Sequence, residues 1–165
     1  MESDSPNDRA IQDSASAGGG RVSALFPTGS GTQFSLPFLD GSIRISGTQT
    51  DGEFSLLEMH VHPDMGPDPH IHLNEVELFY VLSGSYTIVV GDESIEATPG
   101  SIALVPKGVP HGLTAGPEGG RHLTVFSPAG PEGFFPEADR LSHSSEPMQM
   151  GELFSAFGMV LLRDK

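Results

Sequence analysis

Between residues 33 and 126 the chain never sustains the apolar spacing of a helix. It runs instead in short apolar or alternating stretches: 33–39, 42–48, 53–61, 78–82, 85–90, 94–97, 102–105, 111–114 and 122–126. Each is closed by glycine, proline or small polar residues, so each reads as a strand ended by a turn. Many short strands at this spacing predict an antiparallel sandwich or barrel. Asp40-Gly41 is the hairpin cue between the first two, and residues 63–69, rich in Pro, Gly and Asp, must be a loop. The 21 glycines and 14 prolines among 165 residues suit an all-β chain with frequent turns.

The ends of the chain differ from this middle. Residues 1–21 are small and polar, ending in Gly18-Gly19-Gly20, and hold too little apolar surface to form a core. They predict a disordered N-terminal tail, which leaves one domain over 22–165. After residue 127, Pro128-Ala129-Gly130-Pro131 breaks the last strand. A short helix over 132–140 carries Phe134 and Phe135. Met150, Leu153, Phe154 and Phe157 recur at helical spacing, and 159–162 can return as a final strand.

Charge and composition exclude several functions. A formal net charge of −14 argues against nucleic acid and anionic membranes as partners. With no cysteine there is no disulfide framework, thiolate ligand or cysteine nucleophile. No apolar run approaches the roughly 20 residues of a membrane span, and the N-terminus lacks a basic-then-apolar pattern, so a cytoplasmic protein is expected.

The chemistry is concentrated in two segments, Pro69-His70-Ile71-His72-Leu73-Asn74-Glu75-Val76-Glu77 and Pro106-Lys107-Gly108-Val109-Pro110-His111. His70 and His72, two residues apart on a strand, point to one face. With a carboxylate and His111 they predict one divalent metal site. Imidazole and carboxylate suit Fe, Ni, Mn, Cu or Zn alike. Glu75 and Glu77 are equal candidates by residue type. Both lie an odd step from His72, so either needs a bend near Asn74 to reach the same ion. His60 and His62 also share a face; an exposed strand end is the default, and a second ligand pair or a pocket acid or base the alternative. His143 and Lys107 read as solvated.

These two segments resemble the two halves of the cupin signature. The first reads His70-x-His72, four residues, Glu77, six residues, Gly84; the second reads Gly100, five residues, Pro106-x-Gly108, two residues, His111. Fifteen residues separate them, as in compact single-domain microbial cupins. The match departs from the family at Asp64, where a glycine is usual, and at Ala115, where an asparagine is usual. The resemblance implies a single cupin jelly-roll β-barrel with a short C-terminal helical segment. It selects Glu77 over Glu75, which becomes a solvated turn residue, and makes His70, His72, Glu77 and His111 the metal ligands. The stretch Phe79-Tyr80-Val81-Leu82, with Ser127-Pro128-Ala129-Gly130 and Gly133-Phe134-Phe135, is similar to quercetin dioxygenase-like small cupins. That implies a metal-dependent dioxygenase of an aromatic or enolic compound, with Glu77 as proton acceptor and dioxygen as co-substrate. The alternatives are a non-oxidative isomerase, cyclase or decarboxylase, or a ligand-binding cupin without turnover.

Strand parity predicts the pocket wall. If Glu77 points inward, so do Phe79 and Val81; if His111 does, so does Leu113. His122 is a further candidate, and Phe134, Phe135 and Phe154 can roof the pocket. Such a site suits a small hydrophobic molecule. Open jelly-roll edges need covering, so exchange of N-terminal strands in a homodimer is expected.

Overall fold

The computed structural model describes residues 24–144 and 150–162; the tail expected over 1–21 lies outside them. Nine strands follow in order: β1 (Thr32–Leu36), β2 (Leu39–Ile45), β3 (Ser55–Val61), β4 (His70–His72), β5 (Val76–Val90), β6 (Glu93–Ala97), β7 (Ile102–Val105), β8 (His111–Ser127) and β9 (Met159–Leu161). Helices α1 (Phe134–Ser142) and α2 (Met150–Ala156) precede the last strand. Every pairing is antiparallel. The ladder runs β1-β2-β3-β8-β4-β9, with β5 joining β6, β7 and β8. The result is a curled sheet: strand spacing predicted an antiparallel sandwich or barrel, and the jelly roll is the form the cupin resemblance implied.

The first hairpin turns earlier than Asp40-Gly41. Leu36 pairs with Leu39, so Pro37 and Phe38 form the two-residue turn and Asp40-Gly41 lie inside β2. Proline presets the backbone angle a turn needs. Gly41 serves packing instead: a Cβ there would stand 2.4 Å from Cζ of Phe34. Asp40 turns outward, accepting from Ser35 Oγ at 2.7 Å.

Two pairs of expected strands are single strands. Residues 78–82 and 85–90 belong to β5, because Ser83-Gly84 is a bulge with register shifts on both sides and not an end. Residues 111–114 and 122–126 are the two ends of β8. The two long strands pair with each other from Val76↔Ser127 to Val90↔His111. A bulge bends a strand without ending it, and this bend carries β5 and β8 around the barrel. Alternate residues therefore face one interior, filled by Leu57, Val61, Val81, Tyr86, Ile88, Val105 and Phe126.

The helices close one end. Phe135 of α1 stacks on Phe34 of β1 with centroids 4.9 Å apart, and Phe154 of α2 meets Phe134 edge-on at 4.8 Å. Among the described residues no helix is long and apolar enough to cross a membrane.

Candidate metal centre

The bend that either carboxylate required is present. Strand β4 ends at His72, residues 73–75 are irregular, and β5 starts at Val76. The chain thereby leaves β4, which pairs with β9, and enters β5, which pairs with β7 and β8. Glu77 is returned to the face His70 and His72 occupy. His111 opens β8 directly opposite His70. The backbone N–H of Gly108 donates to the carbonyl of His72 at 2.7 Å, tying the two motif halves together. Asp64, at the position where the family has glycine, adopts the left-handed backbone (φ 57°) that glycine would supply.

His70, His72, Glu77 and His111 are all buried, and one ligand atom from each lies within 4.8 Å of the others. Glu77 Oε2 is 2.8 Å from His111 Nε2 and 3.2 Å from His72 Nε2. His70 Nδ1 donates to the Asp68 carbonyl at 2.9 Å, and His111 Nδ1 to the Val109 carbonyl at 3.0 Å. A carbonyl can only accept, so both rings hold a proton on Nδ1 and leave Nε2 as the nitrogen for a metal; without an ion, His111 Nε2 also carries a proton and donates it to Glu77, and an ion would displace that proton. His72 is different: neither ring nitrogen has a hydrogen-bond partner among the described residues, although Nε2 stands near Glu77. A buried imidazole with two unsatisfied nitrogens is costly in a protein-only site. A cation accepting Nε2 removes that cost. The donor set, three nitrogens and one oxygen, is the set a divalent transition ion takes. The residues fit such an ion.

The electrostatics follow from burial. Desolvation opposes the charge on Glu77, but the imidazoles of His111 and His72 overcome it and hold the carboxyl well below its usual range. Desolvation also opposes charge on His111, yet Glu77 raises it above the ordinary histidine value. Burial pushes His70 down to about 4.

The four side chains form the floor of a chamber of about 240 Å³. Phe79, Leu113, His122, Phe134, Phe135 and Phe154 line it. Val81 does not: it is buried at 1 % exposure but packs beyond the chamber. His122 stands opposite it on the ladder, and that larger side chain takes the wall position. Glu75 is not solvated. It is 6 % exposed, because the 73–75 bend folds its carboxylate inward to within 3.8 Å of His72 Nδ1. His60 and His62 stay out of the site. His60 is exposed, and His62 pairs with Asp40 at 3.0 Å. The walls from β1–β3 (Leu36, Leu39, Met59) carried no sequence signal beyond apolarity.

Fold and site together define a jelly-roll protein with a buried three-histidine, one-glutamate cluster able to hold a metal ion. Residues 57–126 match the model of the family described as Cupin domain, and with the cupin-fold structures below this supports a member of the cupin superfamily. Among solved structures it is similar to KdgF from Halomonas sp. (TM-score 0.58, 18 % identity, covering 64 % of this chain and 94 % of that one). The polyketide cyclase RemF from Streptomyces resistomycificus aligns with TM-score 0.56 and 25 % identity over 64 % of this chain and 80 % of its own. The nucleoside dehydratase Pac13 from Streptomyces aligns with TM-score 0.54 and 16 % identity, covering 72 % and 88 %. No curated protein matches the chain. A shared barrel does not carry a shared reaction.

Proposed function

We propose that the chain is a metal-dependent enzyme that moves a proton on a small, mostly apolar molecule bearing an enolic or phenolic oxygen, without net oxidation. Cyclases, isomerases and lyases are the reaction types meant. The observation that carries the reading is one carboxylate, Glu77, set among three buried imidazoles at the floor of an otherwise apolar chamber. A divalent ion bound there supplies the positive charge that acidifies a substrate oxygen. Glu77 is ionised at neutral pH, held so by the His111 and His72 imidazoles; if those rings turned their Nε2 atoms to an ion, its carboxylate would regain basicity and could take the released proton. The Asp68 and Val109 carbonyls hold His70 and His111 in the ligating tautomer. Phe79, Phe134 and Phe154 exclude water, which strengthens each polar contact at the floor. The chamber lies below the usual 300–1,000 Å³ of small-molecule sites, which favours a compact substrate. The cyclase and dehydratase among the structural neighbours support a non-oxidative reaction.

A second reading, a quercetinase-like dioxygenase, is favoured by the three-histidine, one-glutamate donor set. It shares the proton transfer to Glu77 and adds dioxygen as co-substrate. The test loads the full chain with zinc, iron or manganese and incubates it with 1,3-diketones and hydroxyquinones. Turnover in the absence of oxygen, followed by mass spectrometry, is the expected result. Turnover only with stoichiometric oxygen uptake replaces it with the dioxygenase. Saturable binding with no product under either condition leaves a binding protein.

A further inference from the structure

The chamber has a second polar feature, away from its floor. His122 on β8 is 3 % exposed and lines the chamber. Its Nδ1 lies 3.0 Å from Oη of Tyr86 on β5. Tyr86 is 1 % exposed and lies outside the chamber lining. Space for its ring is provided by Gly120, where a Cβ would stand 2.6 Å from the ring carbons. The pair is therefore built into the wall.

Its hydrogen bonding has one direction. The Tyr86 hydroxyl has a single hydrogen-bond partner among the described residues, His122 Nδ1. Burial raises the phenol far above its ordinary value, so it keeps its proton. A buried hydroxyl must donate that proton, and Nδ1 is the acceptor available. Burial also pushes His122 down to about 4, against the pull of Glu77, so the ring is neutral. The remaining proton then sits on Nε2. The Nδ1 edge faces Tyr86 outside the chamber, so the opposite edge of the ring is the part that forms the wall.

Phe79 lies beside both polar places: its ring centroid is 6.4 Å from that of His111 and 5.6 Å from that of His122. No hydrogen bond joins His122 to the floor residues; its one partner among the described residues is Tyr86.

We infer that His122, oriented by Tyr86, is a second substrate anchor, offering an Nε2–H donor to an acceptor oxygen distinct from the oxygen at the metal floor. The substrate class is then a compact apolar ring system with two separated oxygen functions, one enolic or phenolic and one a carbonyl or ether. This rests on the metal-enzyme reading above. His122 binds substrate directly; Tyr86 is a positioning residue.

The test has two arms on the full chain. In the first, long-range ¹H–¹⁵N NMR reads the His122 tautomer. The Nε2–H form is expected, and Tyr86→Phe releases it to a mixture of tautomers; an Nδ1–H form in the unaltered protein overturns the proposal. In the second, calorimetry measures anaerobic binding to the zinc-loaded protein of 2-hydroxy-1,4-naphthoquinone and of 1,2-dihydroxynaphthalene, which lacks the distal carbonyl. His122→Phe is expected to weaken the quinone alone, by about three- to tenfold, the size of one lost hydrogen bond. Zinc affinity and the diol are expected to hold. Equal loss for both probes overturns the anchor. Should His122→Phe not fold, Tyr86→Phe is the variant measured, with a smaller selective loss expected for the same probe and equal loss again overturning the anchor. If neither probe binds the zinc-loaded wild type, the metal-enzyme reading fails and takes the two-oxygen substrate with it. The tautomer arm still reports on the Tyr86–His122 pair by itself.

Discussion

Oε2 of Glu75 lies 3.8 Å from Nδ1 of His72, and neither atom has a hydrogen-bond partner among the described residues. The gap is too long for a hydrogen bond, yet no other group is placed to satisfy either atom. A cation pulling on Nε2 makes the Nδ1 proton more acidic, which favours closing that gap. Glu75→Gln is expected to lower zinc affinity by about 10–100-fold in a chelator competition assay. Unchanged affinity would remove Glu75 from the support of the site.

The ligand assignment is tested by metal content. His111→Ala and Glu77→Gln are each expected to reduce bound metal from about one ion per chain to near zero by elemental analysis, with the far-ultraviolet circular dichroism retained. In the wild type, free metal at about 100 times Kd should add about 2.7 kcal/mol of stability, and a chelator should withdraw it. A melting temperature indifferent to both treatments would contradict a native metal site.

Acid should weaken the metal-free protein. His122 is held near 4 by burial, against an ordinary value of 6.5. Between those values the unfolded chain binds a proton that the folded chain refuses, so stability falls as pH drops from about 6.5 to about 4. The contribution of His122 is roughly 3 kcal/mol at most. Urea titrations across this window should show the slope, and His122→Gln should flatten part of it.

His62 shifts the opposite way. Its hydrogen bond to Asp40 raises it above 6.5, against a smaller desolvation cost, and lowers Asp40 in turn. The stabilisation from this pair is complete below the unfolded value of 6.5 and is lost as pH rises through the folded one. Both groups are partly solvated, so the effect on stability is small. In an NMR titration His62 should titrate above 6.5, and Asp40→Asn should return it toward that value.

Among the described residues strand β7 pairs with β5 alone and forms a sheet edge, exposing Ile102 and Leu104 at 58 % each beside Tyr80. An apolar open edge favours covering by another chain. A homodimer is expected by light scattering at micromolar concentration, with Ile102→Glu combined with Leu104→Glu shifting it to monomer. A monomeric wild type would leave this edge solvated.

Much of the architecture was legible in the residues. Alternation and turn chemistry are local, so the all-β character and the rough places of most strands could be read directly, whereas the merging of expected strands into β5 and β8 could not, because a bulge looks like a turn in the residues alone. The bend near Asn74 followed from counting alone, since five residues from His72 to Glu77 cannot share a face on a straight strand. The hairpin at Pro37-Phe38 was misplaced because Asp40-Gly41 is a stronger local cue. It loses to the packing of Phe34 against Gly41, a contact between strands.

Read alone, the residues pointed to His70, His72 and His111 with one carboxylate as a candidate metal site; spacing left Glu75 and Glu77 equal, and the resemblance to the cupin signature selected Glu77. Tertiary structure decided the rest of the chamber: that Val81 packs behind the wall while His122 forms it, that Glu75 is buried, and that Tyr86 holds His122. The places of Val81 and Glu75 follow from how neighbouring side chains and the 73–75 bend pack. For Tyr86 and His122 the physical reason is register: the pairing of β5 with β8 shifts between Val81 and Ser83 and again between Gly84 and Tyr86, so the buried positions pass from 79 and 81 to 86 and 88 on β5 and from 113 and 115 to 122 and 124 on β8. Such shifts are set by contacts between residues far apart in sequence, and no local pattern records them.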